Sequence, residues 1–217
     1  MATDTEIVRQ VARAPMRTAR LKDIRTDEAN LWRVVDRLVD EGALTRLVHG
    51  IYAAPPDGRD GRTWRPPLEA AALAVATARF GQRQAALMGV SAARHWAAIP
   101  RAIGVATVAV PRAGYAPTAL DTGGRIRFVP RDLDQLDLVV ERTALGEGFV
   151  TTPSQTLFDL LSRPQTKDVP MEAGAAVPNL AARVSAPEFE KIVVAARKTT
   201  TAARLMLNEL KERDGPG

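Results

Sequence analysis

Near the N-terminus, apolar side chains recur at helical spacing. Ile7, Val8 and Val11 share one face of a helix predicted over Thr5–Ala14, which Pro15 ends. Leu21 and Ile24, three apart behind a capping Thr18, predict a short second helix over Thr18–Ile24. A third is predicted from Thr26 to about Glu41, with Thr26 as cap, Asp27 and Glu28 in the first turn, and Gly42 closing it. Its apolar stripe is Leu31, Val34, Val35 and Leu38, and Trp32 at the stripe's edge is assigned to packing. The pattern then shortens to strands. Residues 42–53 read as two short strands around a tight turn at Gly50, with Leu44, Leu47, Val48, Ile51 and Tyr52 supplying apolar or strand-favouring side chains.

Three helices and a hairpin are the order of a winged helix-turn-helix. Residues 55–67 are rich in proline, glycine and charge and predict a linker, placing the boundary between domains 1–62 and 63–217. Beyond it the pattern predicts an Ala-rich helix over Leu68–Phe80 stopped at Gly81, then a helix within Leu87–Ile99 capped by Ser91. Strands follow over 105–110, 125–129, 138–142 and 148–151. Thr152-Pro153 starts another helix, with Leu157, Phe158, Leu160 and Leu161 as its apolar face. Residues 163–180 are predicted as loop, Ser185-Ala186-Pro187-Glu188 is a capping-box pattern, and a last helix spans about Thr201–Lys211. The fold class is therefore α/β of the α+β kind: an N-terminal winged helix-turn-helix, then a mixed α/β domain with C-terminal helices.

Composition narrows this picture. With 217 residues, 46% of them hydrophobic, the chain can bury a real core. No apolar run approaches the roughly 18–20 residues of a membrane span, and the polar, acidic start shows no signal peptide. Cysteine is absent, which excludes disulfides and thiolate metal sites and fits a cytoplasmic protein. A net charge of +5 favours anionic partners, but residues 1–65 hold 12 Arg and Lys against 10 Asp and Glu. Any nucleic-acid surface must come from local arrangement. The abundance of Arg and Ala also fits a genome rich in G and C.

On the third helix, Ala29, Asn30, Arg33, Asp36, Arg37 and Asp40 oppose the apolar stripe. A helix fits the major groove, where Arg donates twice to guanine and Asn pairs with adenine, so Asn30 and Arg33 are candidate base contacts and Arg37 a phosphate or base contact. Arg17, Thr18, Arg20, Lys22 and Arg25 surround the second predicted helix, where cations would fix register on phosphates. Arg46 and His49 place the wing against the backbone or minor groove, and Arg59, Arg62 and Arg65 would form a flexible basic arm. The competing reading is that Arg33 and Arg37 pair with Asp36, Asp40 or Glu41 on a solvated face.

Thr18-Ala19-Arg20-Leu21, residues 31–38, residues 42–47 and Gly50-Ile51-Tyr52-Ala53 together resemble the N-terminal domain of AbiEi-family antitoxins, the antitoxins of type IV abortive-infection toxin–antitoxin pairs. Residues 89–96, with their Ser-Ala-Ala core, the strand at 105–111, and residues 149–160, with a Thr-Pro start and an Asp-Leu pair, are similar to the second half of the same family. The resemblance covers roughly residues 5–165. It implies a winged helix that represses its own operon at inverted-repeat DNA, a second domain carrying antitoxicity, and a nucleotidyltransferase-like toxin as partner, opposed with or without stable contact. It implies neither cofactor nor enzymatic activity.

Catalytic patterns are weak. His49 and His95 are the only histidines, which excludes a His-rich metal site. Ser91, His95 and Asp159 invite a triad reading, but no Gly-x-Ser-x-Gly elbow accompanies them, and Asp159 is expected at the surface or as a cap. Glu188, Glu190 and Lys191 resemble a nuclease cluster but sit at a helix start, where acids are favoured anyway. A winged-helix regulator with a ligand-sensing or dimerising domain, and a DNA-processing enzyme, are the alternatives to the antitoxin.

Overall fold

The structure is a computed structural model that describes residues 2–100, 104–162 and 173–215. It opens with α1 (Ala2–Arg13), a 3-10 turn and strand β1 (Thr18–Arg20), followed by a second 3-10 turn at Leu21–Asp23. Helix α2 (Leu31–Asp40) and the hairpin β2 (Thr45–Val48) and β3 (Ile51–Ala53) complete the unit. The three strands lie in the order β1-β3-β2, all antiparallel. This is the strand–helix–hairpin arrangement of a winged helix.

The helix expected over Thr18–Ile24 is instead β1 and one 3-10 turn. Thr18, Ala19 and Arg20 pair with Ala53, Tyr52 and Ile51, so tertiary pairing with β3 overrides the local helical spacing of Leu21 and Ile24. Helix α2 also starts later than Thr26. The Thr26 hydroxyl accepts the Glu28 N–H in a local turn, and residues 27–30 stay outside the helix. Gly42 closes α2 as expected, with φ +78°. Behind α2 lies a small core of Ile7, Val11, Ile24, Val35, Leu38, Leu44, Tyr52 and Ala54.

Residues 55–67 pack back onto the hairpin. Gly61 N–H donates to the Gly42 carbonyl, and the Thr45 hydroxyl donates to the Gly61 carbonyl. Arg62 pairs with Asp60, and Arg65 donates to the Gly61 and Trp64 carbonyls, so neither belongs to a free arm. Arg59 is exposed.

Helix α3 (Leu68–Phe80) follows, with Ala70 through Thr77 all buried. A helix buried all round needs small side chains, and alanine supplies them. One side meets Met16, Leu47, Val48, Ile51 and Ala53 of the winged unit. The other meets Leu87, Val108, Ile126 and Val150 of a six-stranded sheet. The hydrophobic cluster around α3 thus takes in residues from both sides of position 62.

That sheet comprises β4 (Ala86–Leu87), β5 (Val105–Val110), β6 (Thr118–Ala119), β7 (Arg125–Pro130), β8 (Leu138–Thr143) and β9 (Gly146–Thr151), in the order β6-β7-β5-β4-β9-β8. β5 runs parallel to β7 and β4 to β9, while β4 and β5 are antiparallel. The opposite face, with Ala86, Met88, Ala109 and Val129, is covered by Leu133 and Leu136 of the crossover from β7 to β8.

Helices α4 (Gly89–His95), α5 (Pro153–Ser162), α6 (Ala173–Ala181), α7 (Ala186–Ala195) and α8 (Thr201–Asp214) enclose a second core around Leu157, Phe158, Leu180, Phe189 and Leu210. The loop expected over 163–180 is helical from Ala173, and its first part lies outside the described residues. Thr152 accepts the Gln155 N–H at the start of α5, and the Ser185–Glu188 capping box forms as expected. Ser91 does not cap α4. It lies inside the helix, buried, and its hydroxyl oxygen accepts the Thr107 N–H at 2.7 Å, tying α4 to β5. Among the described residues, no helix is long and apolar enough to cross a membrane.

Candidate nucleic-acid interface

Helix α2 buries Val35 and Leu38, packs Leu31 and Val34 against the same core, and turns its other face to solvent. Asn30 stands at its N-cap position without a side-chain bond to the helix, leaving its amide outward and unused. Arg33 is exposed and lies with its guanidinium 5.0 Å from the centre of the Trp32 ring. Such a stack orients the cation at little cost. Trp32 itself is 52% exposed and does not pack in the core as expected. Its helical stripe continues through Asp36, four residues on and also exposed, and that polar neighbour was the sequence signal for its outward position.

The remaining candidates divide into two groups. Lys22 and Arg25 are exposed beside the 3-10 turn. The side-chain amide of Gln10 grips Arg25 from both ends, donating to its carbonyl at 2.8 Å and accepting its N–H at 2.9 Å. Arg25 therefore projects from a fixed backbone. His49 is exposed at the hairpin tip, where the following Gly50 takes φ +73° and gives its carbonyl to the Leu21 N–H. That bond sets the tip beside Lys22. Asn30, Arg33, Lys22, Arg25 and His49 thus remain available to a ligand.

The other five are committed within the fold. Thr18 is 2% exposed, and its hydroxyl donates to the Met16 carbonyl, so it is no surface contact. Arg17 has a left-handed backbone, φ +49°, and its guanidinium donates to the carbonyls of Ala54 and Pro55 and to Asp57. Arg20 pairs with Asp23. Arg37 makes a two-pronged bond to Asp4 of α1, 3.0 Å on each arm, and reaches Glu41 at 3.4 Å. Arg46 points away from the tip, toward Asp121 of the sheet domain. Beside it, the Asp121 N–H donates to the Leu47 carbonyl.

Electrostatics follow the same division. The bond from Asp121 raises the pKa of Arg46 further, with a smaller contribution from Asp36. Burial pushes the Tyr52 hydroxyl up, and the nearby Asp36 carboxylate adds to that shift. Asp36 thus acts on the wing. Of the three acids at the C-terminal half of α2, Glu41 has an ion-pair partner, in Arg37.

No triad assembles in the second domain. Ser91 is engaged by Thr107, His95 lies 3.3 Å from Glu141, and Asp159 is 4% exposed with Arg131 at 3.1 Å. Asp159 is therefore a buried ion-pair partner and not a surface residue. Glu188 is held below the usual carboxylate range by the Ser185 N–H and hydroxyl of its capping box, and Glu190 pairs with Lys211. No cluster of metal-binding side chains occurs among the described residues.

No known family model matches the chain, and no curated protein does. Among solved structures, it is similar to the crystal structure of the RV2827C protein from Mycobacterium tuberculosis. That likeness covers 99% of this chain and 78% of the other, with a TM-score of 0.61 and 19% identity. It is a likeness of fold, and it extends over both halves of this chain.

Proposed function

We propose that the chain is a DNA-binding repressor that serves as the antitoxin of a type IV toxin–antitoxin pair, opposing a nucleotidyltransferase-like toxin and repressing its own operon at inverted repeats. The observation that carries the DNA-binding reading is the N-terminal half of α2. There Asn30 and Arg33 face outward without a carboxylate partner, next to an exposed Trp32. In a winged helix this is the end that enters the major groove, where Arg and Asn read guanine and adenine. Lys22, Arg25 and His49, all exposed, would serve as cationic and polar contacts to the phosphate backbone. The antitoxin role rests on the sequence resemblance carried by residues 18–53, 89–96 and 149–160.

The test is equilibrium binding of the full chain to the inverted repeats upstream of its own coding region and to random duplex of equal length. Arg33→Ala is expected to lose about 1–3 kcal/mol on the repeats and distinctly less on random DNA. Equal loss on both would make Arg33 a phosphate contact, and no loss would remove α2 from the interface. Co-expression with the adjacent toxin gene, scored by restored growth, tests the second role: growth that stays arrested would overturn it.

A further inference from the structure

A second surface, far along the chain from the wing, has the makings of a ligand site. The crossover between β7 and β8, helix α5 and helix α7 enclose a cleft of about 870 Å³. This is within the range of small-molecule sites, roughly 300–1,000 Å³. Its apolar lining is Phe158, Ile192 and Leu136, the first two nearly fully buried. Gln155, 3% exposed, brings a buried amide to the wall, held by Asp159 and the Asp137 N–H. Around the mouth stand Arg131, Lys191, Arg197 and Lys198.

The acids lining the same cleft each accept a hydrogen bond within the fold. Asp132 accepts the Asp134 N–H, Asp137 accepts the Thr152 hydroxyl, and Glu188 is held in the Ser185 capping box. Asp159 lies beneath Arg131 and pairs with it. Lys191 has Glu188 one turn before it as a charged neighbour but forms no ion pair, and Arg197 and Lys198 form no hydrogen bond or ion pair among the described residues. An apolar floor with a rim of unspent cations fits a ligand that is flat and apolar at one end and multiply anionic at the other.

We infer that the cleft between α5, α7 and the β7–β8 crossover binds a nucleoside polyphosphate, with the base against Phe158, Ile192 and Leu136 and the phosphates on Lys191, Arg197 and Lys198. Binding here is independent of the DNA-binding reading, since no residue is shared. The experiment is calorimetric titration of the full chain with ATP, GTP and inorganic tripolyphosphate, repeated with a Lys191→Ala/Arg197→Ala variant and with Arg33→Ala. One nucleotide per chain is expected, weakened about tenfold or more in the double variant, unchanged in Arg33→Ala, and tighter than tripolyphosphate. No saturable nucleotide binding at millimolar concentration overturns the site. Tripolyphosphate binding as tightly as ATP overturns the base subsite. If the double variant melts earlier but holds nucleotide as well as the parent, the cations serve only the C-terminal end of α7, and the inference fails.

Discussion

Asp4 and Arg37 join α1 to α2 through a two-pronged ion pair at the surface, and the Arg37 guanidinium holds the Asp4 carboxyl below its ordinary value of 3.8. A carboxyl whose folded pKa lies below its unfolded one stabilises the fold above the unfolded value. That contribution is lost as pH falls through the folded value. Asp4→Asn should therefore melt earlier than the parent at pH 7, and the gap should close as pH is lowered below about 4. A gap that does not narrow at all as pH falls below that value would mean that Asp4 acts through packing or helix capping. Residue-level reading of the sequence placed Asn30, Arg33, Lys22, Arg25 and His49 on the surface, where they stand. It anticipated a pair between Arg37 and Glu41, but not the pairs that Arg17, Arg37 and Arg46 make with Asp57, Asp4 and Asp121. Their partners are 40, 33 and 75 positions away, respectively, and no local pattern encodes a bond across that distance.

At the scale of elements, a close approach between a strand and a helix constrains one glycine. Gly148 of β9 faces α3, and a Cβ there would lie 2.5 Å from Leu73 Cδ2 and 3.3 Å from Met16 Sδ. Gly148→Ala should cost about 1–3 kcal/mol in denaturant unfolding, since α3 is fixed on both sides and Leu73 has no room to turn away. A neutral result would show that α3 can shift. Elements with strong punctuation were legible from sequence: α3 between its prolines and Gly81, α5 from Thr152-Pro153, α7 from its capping box, and the hairpin from Gly50. Those that failed owe their form to distant partners. β1 exists because β3 offers an edge, and the two-residue strand β4 exists because β5 and β9 flank it. Ser91 looked like a cap because its true partner, the Thr107 N–H, belongs to a strand 16 residues on.

At the scale of the whole molecule, α3 is shared. The proline- and glycine-rich segment at 55–67 reads as a place to cut, yet the helix after it is covered on one side by the winged unit. A fragment of residues 63–217 would lose Met16, Leu47, Val48, Ile51 and Ala53 from the cluster around α3 and expose apolar surface of that helix. It should purify poorly or bind a hydrophobic dye, while the full chain unfolds in a single transition by circular dichroism and by tryptophan fluorescence. Two separate transitions, or a well-behaved fragment, would show that the halves are independent. Function was less legible than fold. The wing and helix pointed to DNA, but the cleft at α5 and α7 draws on residues from 131 to 198, and only the folded chain brings them to one place.

The hairpin tip is only His49 and Gly50 between strands of four and three residues. At about 3.3 Å per residue, such a wing extends roughly 10–13 Å, enough to rest on one strand's backbone and too little to follow a groove. On the proposed reading, sequence discrimination by one chain then falls to a single helical turn around Asn30 and Arg33. Against the roughly 10⁶–10⁹ competing sites of a genome, so few base pairs carry too little information to mark one address. The economy of the wing thus makes repetition in the DNA, and two chains reading it side by side, a requirement of accuracy.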